Sequence, residues 1–131
     1  MTVGELLAQV DEIRPNTFDE NIKTTWLSEL EGRVFNDIVL THEHDLVEDE
    51  DENMVEPTFA GYDETSENEE LIAPDTYCDL YKNYLFTMMD YSNGETDRYT
   101  NSMLMFNNSY SQFESWYNRT HKPIHKPLRL F

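Results

Sequence analysis

The chain has 131 residues, room for one domain with a modest core, and its 27 Asp and Glu against 9 Lys and Arg give a formal net charge of -18. A polyanion of this kind repels phosphate backbones, which argues against generic nucleic-acid binding. The single cysteine, Cys78, has no partner for an internal disulfide, and no apolar run approaches the roughly 18 residues of a membrane span.

The first helix starts at a capping box. Thr2 and Glu5 have the T-x-x-E spacing that satisfies free amides at a helix start. Val3, Leu6, Leu7, Val10 and Ile13 then fall on one face. Arg14-Pro15-Asn16 ends the helix, because a residue before proline avoids the helical region. Thr17 and Glu20 repeat the capping box, and a longer amphipathic helix follows over residues 19–40. Ile22, Trp26, Leu30, Val34 and Ile38 recur on it at every fourth position, widened by Leu27 and Phe35. The start of the chain lacks the basic and apolar regions of a signal peptide, so an intracellular, soluble protein is expected, with the sequons at Asn107 and Asn118 unused.

Residues 41–70 show no sustained period. The part from 43 to 70 is rich in Asp and Glu and contains no Lys or Arg. Such a segment is expected to be solvated and the most mobile part of the subunit, with at most a short strand or hairpin around residues 54–59. Two patterns in it resemble metal sites. His42-Glu43-His44-Asp45 offers ligands, but His residues two apart diverge on a strand or a helix. Asp49, Asp51 and Asn53 imitate the start of a calcium loop, which then fails at Met54, where a glycine is needed, and at Ala60, where a bidentate Glu is needed.

Pro74 suits the first turn of a third helix. Its apolar face is broad: Tyr77, Leu80, Tyr81, Tyr84, Leu85, Met88, Met89 and Tyr91. Asn93-Gly94 marks a turn. A fourth helix over residues 95–118 repeats Tyr99, Met103, Phe106, Tyr110, Phe113 and Tyr117 at steps of three or four. Trp26, Leu30, Tyr81, Tyr84, Met88, Phe106 and Phe113 are the expected core. Pro123 and Pro127 keep residues 120–131 extended. No acid follows Glu114, whereas Arg119, Lys122, Lys126 and Arg129 are four of the 9 basic residues.

These elements predict an all-α fold. A bundle of about four helices spans residues 1–119, with a long acidic loop (41–70) inserted, and an extended C-terminal tail occupies residues 120–131. Cys78 lies among aromatic and acidic neighbours, a poor setting for a thiolate. No G-x-S-x-G, phosphate loop or H-E-x-x-H is present. The expectation is a protein with no enzymatic activity, no cofactor and no metal. Aromatic side chains with polar tips suit protein–protein contacts. Arg98, Tyr99, Asn101, Trp116 and Tyr117 are therefore candidates for an intersubunit surface, rimmed by Asn107 and Asn108. In the tail, Leu128, Leu130 and Phe131 alternate as on a strand with one buried face. Lys122, Pro123, Ile124, Lys126, Leu128, Arg129, Leu130 and Phe131 are candidates for docking onto a neighbour.

The stretches LIAPDTYCDLYKNYL and YSNGETDRYTNSMLMFNNSYSQFESWYNRTHKP resemble the small head–tail connector (adaptor) proteins of tailed phages and Gram-positive prophages. The resemblance rests on five features. These are a Pro-x-x-Tyr-x-x-Leu-Tyr run (Pro74, Tyr77, Leu80, Tyr81), an Asn-Gly-Glu turn at Asn93, an Arg-Tyr-x-Asn stretch at Arg98, a Phe-Asn pair at Phe106 and a Trp-Tyr-x-Arg ending at Trp116. The front, with LLAQVDEIRPN and WLSELEGRV, is similar too; the acidic middle departs in length and charge. The resemblance implies a homo-oligomeric ring, often twelvefold, bound to the portal protein at the capsid vertex. The ring would sit in the virion neck and dock the next neck or tail-completion protein, while DNA passes through its channel without specific binding and no membrane is involved. An acidic lining would suit that passage. Two other classes remain: an acidic nucleic-acid mimic that blocks a DNA-binding protein, and a metal-dependent enzyme using His42 and His44.

Overall fold

The computed structural model describes residues 1–124 and forms a four-helix all-α bundle. Helix α1 spans Val3–Ile13 and α2 spans Glu20–Val34, which continues without a break as a π-helical turn, Phe35–Val39. A small antiparallel hairpin follows, β1 (Val47–Glu48) with β2 (Met54–Val55), pairing Val47 with Val55. A 3-10 turn at Asp75–Tyr77 leads into α3 (Asp79–Ser92), and α4 (Thr96–Thr120) closes the bundle.

The start of α1 is capped as expected: the Thr2 hydroxyl accepts from the Glu5 amide at 3.2 Å. Two further amides that a helix start leaves unpaired find partners far away in sequence. Val3 N–H donates to the Glu69 carbonyl and Gly4 N–H to the Glu67 carbonyl, both at 2.9 Å. The acidic excursion is thus stitched to the helix it returns past. Gly4 permits this approach, because a Cβ there would stand 3.0 Å from the Glu67 carbonyl oxygen.

Helix α2 departs from its expected register. Thr17 makes no cap; Asp19 holds the N-cap position, and its backbone carbonyl accepts from Ile22 and Lys23. Leu27, Leu30, Val34 and Ile38 are buried, but Ile22 is 42% exposed and Trp26 is half-buried against Phe18. A spacing of four advances about 40° per step on a helix that turns 100° per residue, so five such residues cannot share one face. Toward the C-terminal end the π turn takes up the drift. Its wider winding keeps Ile38 on the side of Val34.

The core joins α1 (Val3, Leu6, Leu7, Val10), α2 and α3 (Leu80, Tyr81, Tyr84, Leu85, Met89), with Phe113 and Tyr117 of α4. Of the expected core, Leu30, Tyr81, Tyr84 and Phe113 are buried, whereas Trp26, Met88 and Phe106 are half-buried at its edge. Ile13 and Tyr91 lie on the predicted stripes but end their helices outside the bundle, 60% and 67% exposed.

The excursion is less free than its composition implies. Tyr62, Ser66, Leu71 and Ala73 are buried, and the Phe59 ring packs edge-on to Tyr62 at 5.1 Å and lies 3.7 Å from where a Gly32 Cβ would stand. Residues 45–58 remain mostly exposed. The hairpin begins earlier than expected. Its tip uses the calcium-loop imitation as a turn: one Asp49 carboxylate oxygen accepts from the amides of Asp51 and Asn53 at 2.9 and 2.8 Å.

Candidate interaction surface

Helices α3 and α4 form a tight hairpin around Gly94, which adopts φ +69°. A positive φ is where glycine has no steric penalty. Polar pegs fix α4 along its length. The Ser102 hydroxyl donates to Asp90 Oδ2 at 2.6 Å, while Asp90 Oδ1 accepts from the Arg14 guanidinium at 2.8 Å. Farther along, the Asn83 amide donates to Ser109 Oγ at 3.1 Å. Phe106 lies 5.3 Å from Tyr84, and Trp116 lies 5.2 Å from Tyr77.

Only one side of α4 is covered. Leu104 and Met105 are 60% and 57% exposed. The run from 99 to 113 carries no charged side chain, in a chain of net charge -18. Of the predicted intersubunit residues, Arg98 and Asn101 are exposed, with Arg98 paired to Glu95 at 3.2 Å, and Tyr99 is half-buried against Tyr91. Trp116 and Tyr117 belong to the chain's own interior. Tyr117 is buried between Phe113, His42 and a stacked His121 at 3.8 Å. The uncharged run itself marks the outer face in the sequence. Trp116 and Tyr117 point inward because they fall on the sides of α4 that meet Tyr77 and His42.

The tail candidates divide. Lys122, Pro123 and Ile124 fold back on the domain: the Glu43 amide donates to the Lys122 carbonyl at 2.7 Å, the Ile124 amide to the Thr41 carbonyl at 2.9 Å, and Pro123 bridges His42. This contact satisfies locally the backbone groups that were expected to dock elsewhere. Lys126, Leu128, Arg129, Leu130 and Phe131 lie outside the described residues.

His42 anchors that closure. Its Nδ1 donates to the Ile38 carbonyl at 2.6 Å and its Nε2 lies 2.7 Å from Oδ1 of Asn118. Both ring nitrogens are therefore engaged by the fold. His44 points elsewhere and pairs with Glu56, which raises its pKa. Among the described residues no three His, Cys, Asp or Glu side chains are grouped to hold a metal ion. Cys78 is buried, and burial pushes its thiol up to about 11, far from a reactive thiolate.

The most unusual interior group is Glu31, fully buried on α2. Tyr81 Oη donates to its Oε1 at 2.7 Å; Tyr62 Oη and the Ile72 amide donate to its Oε2 at 2.8 and 3.1 Å. Tyr81 Oη in turn accepts from the Ala73 amide at 2.9 Å. One carboxylate thereby ties α2 to α3 and to both ends of the segment 62–73. Burial raises the pKa of Glu31 against the lowering effect of these donors, and it raises both tyrosines as well. The sequence gives a signal for this group: Glu31 sits between Leu27, Leu30 and Val34 on the buried face, where an acid has to find donors.

No family model matches this chain, and comparison with curated proteins and with solved structures finds no match. The connector resemblance therefore rests on the sequence motifs alone.

Proposed function

We propose that this chain is a structural subunit of a protein assembly rather than an enzyme, and specifically a head–tail connector subunit that rings the portal of a tailed phage or prophage. The observation that carries the assembly reading is the outer face of α4: exposed Leu104 and Met105 on a run of residues 99–113 without charge, in a chain of net charge -18. A large apolar side chain left in water on an uncharged helix face is what a protein partner covers. The side chains best suited to catalysis are consumed structurally, His42 by Ile38 and Asn118 and Cys78 by burial. The connector assignment adds the motif residues, of which Pro74 caps the 3-10 turn and Asn93-Gly94 makes the α3–α4 turn. The exposed acids of residues 43–56 would face the DNA channel and keep phosphates from adhering.

Co-expression with a tailed-phage portal protein from the same genome, followed by electron microscopy, tests the assignment. The expected result is a ring of this chain on the portal. A chain that neither binds portal nor forms rings removes the connector reading. The nucleic-acid mimic is favoured by one observation, the Asp49 turn that fixes the backbone of the acidic hairpin tip. It predicts that the chain displaces DNA from a DNA-binding protein.

A further inference from the structure

We infer that two copies of this chain pair through α4, antiparallel and related by a two-fold axis at Asn108. The outward side of the helix is read directly from its exposed residues. Asp97, Asn101, Leu104, Asn108, Ser111 and Ser115 follow one another at steps of three or four, and all are exposed. Such steps keep residues on one line along a helix. Arg119 continues the line and is exposed as well.

An antiparallel copy centred on Asn108 brings Asp97 opposite Arg119, Asn101 opposite Ser115, Leu104 beside Ser111 and Met105 beside Gln112. Charge matches at both ends: Asp97 and Arg119 stand about 33 Å apart along the helix, so each meets its opposite on the second copy. Among the described residues, neither has an ion-pair partner within its own chain. Shape matches too, since the large Leu104 lies in one half of the line and the small Ser111 and Ser115 in the other. Asn101, Asn108 and Gln112 each carry a donor and an acceptor, which lets identical faces bond to each other.

Charge also selects the occupant. Two copies of net charge -18 repel each other wherever their acids meet. The residues from 99 to 113 carry no charge on any side of α4, and Glu114 lies about 120° around the helix from Asn108. A basic partner would be drawn instead to residues 43–70. This pairing does not rest on the connector reading. A two-fold contact closes on itself and cannot propagate into a ring, so it describes the free chain before any assembly.

Sedimentation equilibrium of the full chain from micromolar to millimolar concentration is the first test. The expected species has twice the 15.6 kDa chain mass. Leu104→Glu should abolish it and leave a chain that still unfolds cooperatively, because Leu104 is exposed in the single copy. Asp97→Arg and Arg119→Asp should each weaken pairing by about tenfold, and combining them should restore it. Asn108→Cys should form an intermolecular disulfide under mild oxidation, and Asn107→Cys, off the line, should not. A wild-type chain that stays monomeric overturns the inference. So does a dimer that ignores Leu104→Glu, or one that the double charge reversal fails to restore. Loss of portal binding with the dimer intact would count against the connector reading alone.

Discussion

Replacing Glu31 is the sharpest perturbation available. In Glu31→Ala, the hydroxyls of Tyr62 and Tyr81 and the amide of Ile72 lose their acceptor together. Each buried donor left unpaired costs about 1–3 kcal/mol. Water entering the vacated space, and relief of burying a charge, offset part of that sum, so the net loss should be about 3–5 kcal/mol. For a domain of this size, the melting temperature should fall by roughly 10–20 °C. Glu31→Gln is the informative companion. Its amide oxygen can keep Tyr62 and Ile72, so its cost at low pH should be small. The pH dependence then has a fixed sign. Glu31 has a raised pKa in the folded state, so its contribution is fully present below its ordinary value of 4.5 and is lost as pH rises through the folded value. Wild type should therefore lose stability relative to Glu31→Gln as pH rises from 4.5 toward neutrality. Urea unfolding of all three proteins at several pH values measures this. The reasoning is refuted by a Glu31→Ala loss below about 1 kcal/mol, or by a wild type that gains on Glu31→Gln as pH rises.

Three other outcomes are expected. Gly4→Ala should destabilise by about 1 kcal/mol despite alanine's better helix propensity, because its Cβ meets the Glu67 carbonyl at 3.0 Å; a denaturant midpoint that rises would contradict this. His42→Ala should cost about 2–3 kcal/mol by leaving Ile38 and Asn118 without their partner, and should speed hydrogen exchange at the Glu43 and Ile124 amides; unchanged exchange there would show that His42 does not hold the tail. Cys78 should react with a thiol reagent at neutral pH only at the rate of unfolding, since it is buried and its thiol is pushed up to about 11; fast labelling of the native protein would displace it from the core.

The four helices were legible because apolar residues repeat at helical spacing and because the breakers, Pro15 and Gly94, fall between them. Register was less legible. A spacing of four looks like a stripe in sequence, yet it winds around a straight helix, so Ile22 faces outward and Leu27 takes the core position. The π turn that recovers Ile38 leaves no sequence mark, since it is set by packing and not by propensity. Composition also misjudged residues 59–73. Acids there outnumber large apolar groups, but a few long-range partners outweigh the count. Tyr62 reaches Glu31, and the Glu67 and Glu69 carbonyls finish the α1 cap, so backbone groups that would otherwise need water are satisfied by the bundle.

The open face of α4 was not read from the sequence. The lack of charge between residues 99 and 113 is visible there, but the side of α4 that stays open depends on the bundle covering Phe106, Tyr110 and Phe113. Trp116 and Tyr117 were assigned outward because aromatic residues with polar tips serve interfaces and interiors equally well. What decides between the two is the neighbour. His42, held by the Ile38 carbonyl and Asn118, sets its ring 4.8 Å from Tyr117 and closes that end of the bundle. The buried polar residues thus act alike. Glu31 and Asp90 each take donors from two or more distant segments, and His42 joins the end of its own helix to Asn118 on α4. Apolar burial alone would tolerate several registers of α3 and α4 against α2. A carboxylate that needs three donors accepts only the arrangement that supplies them, and that arrangement leaves the uncharged face of α4 in water.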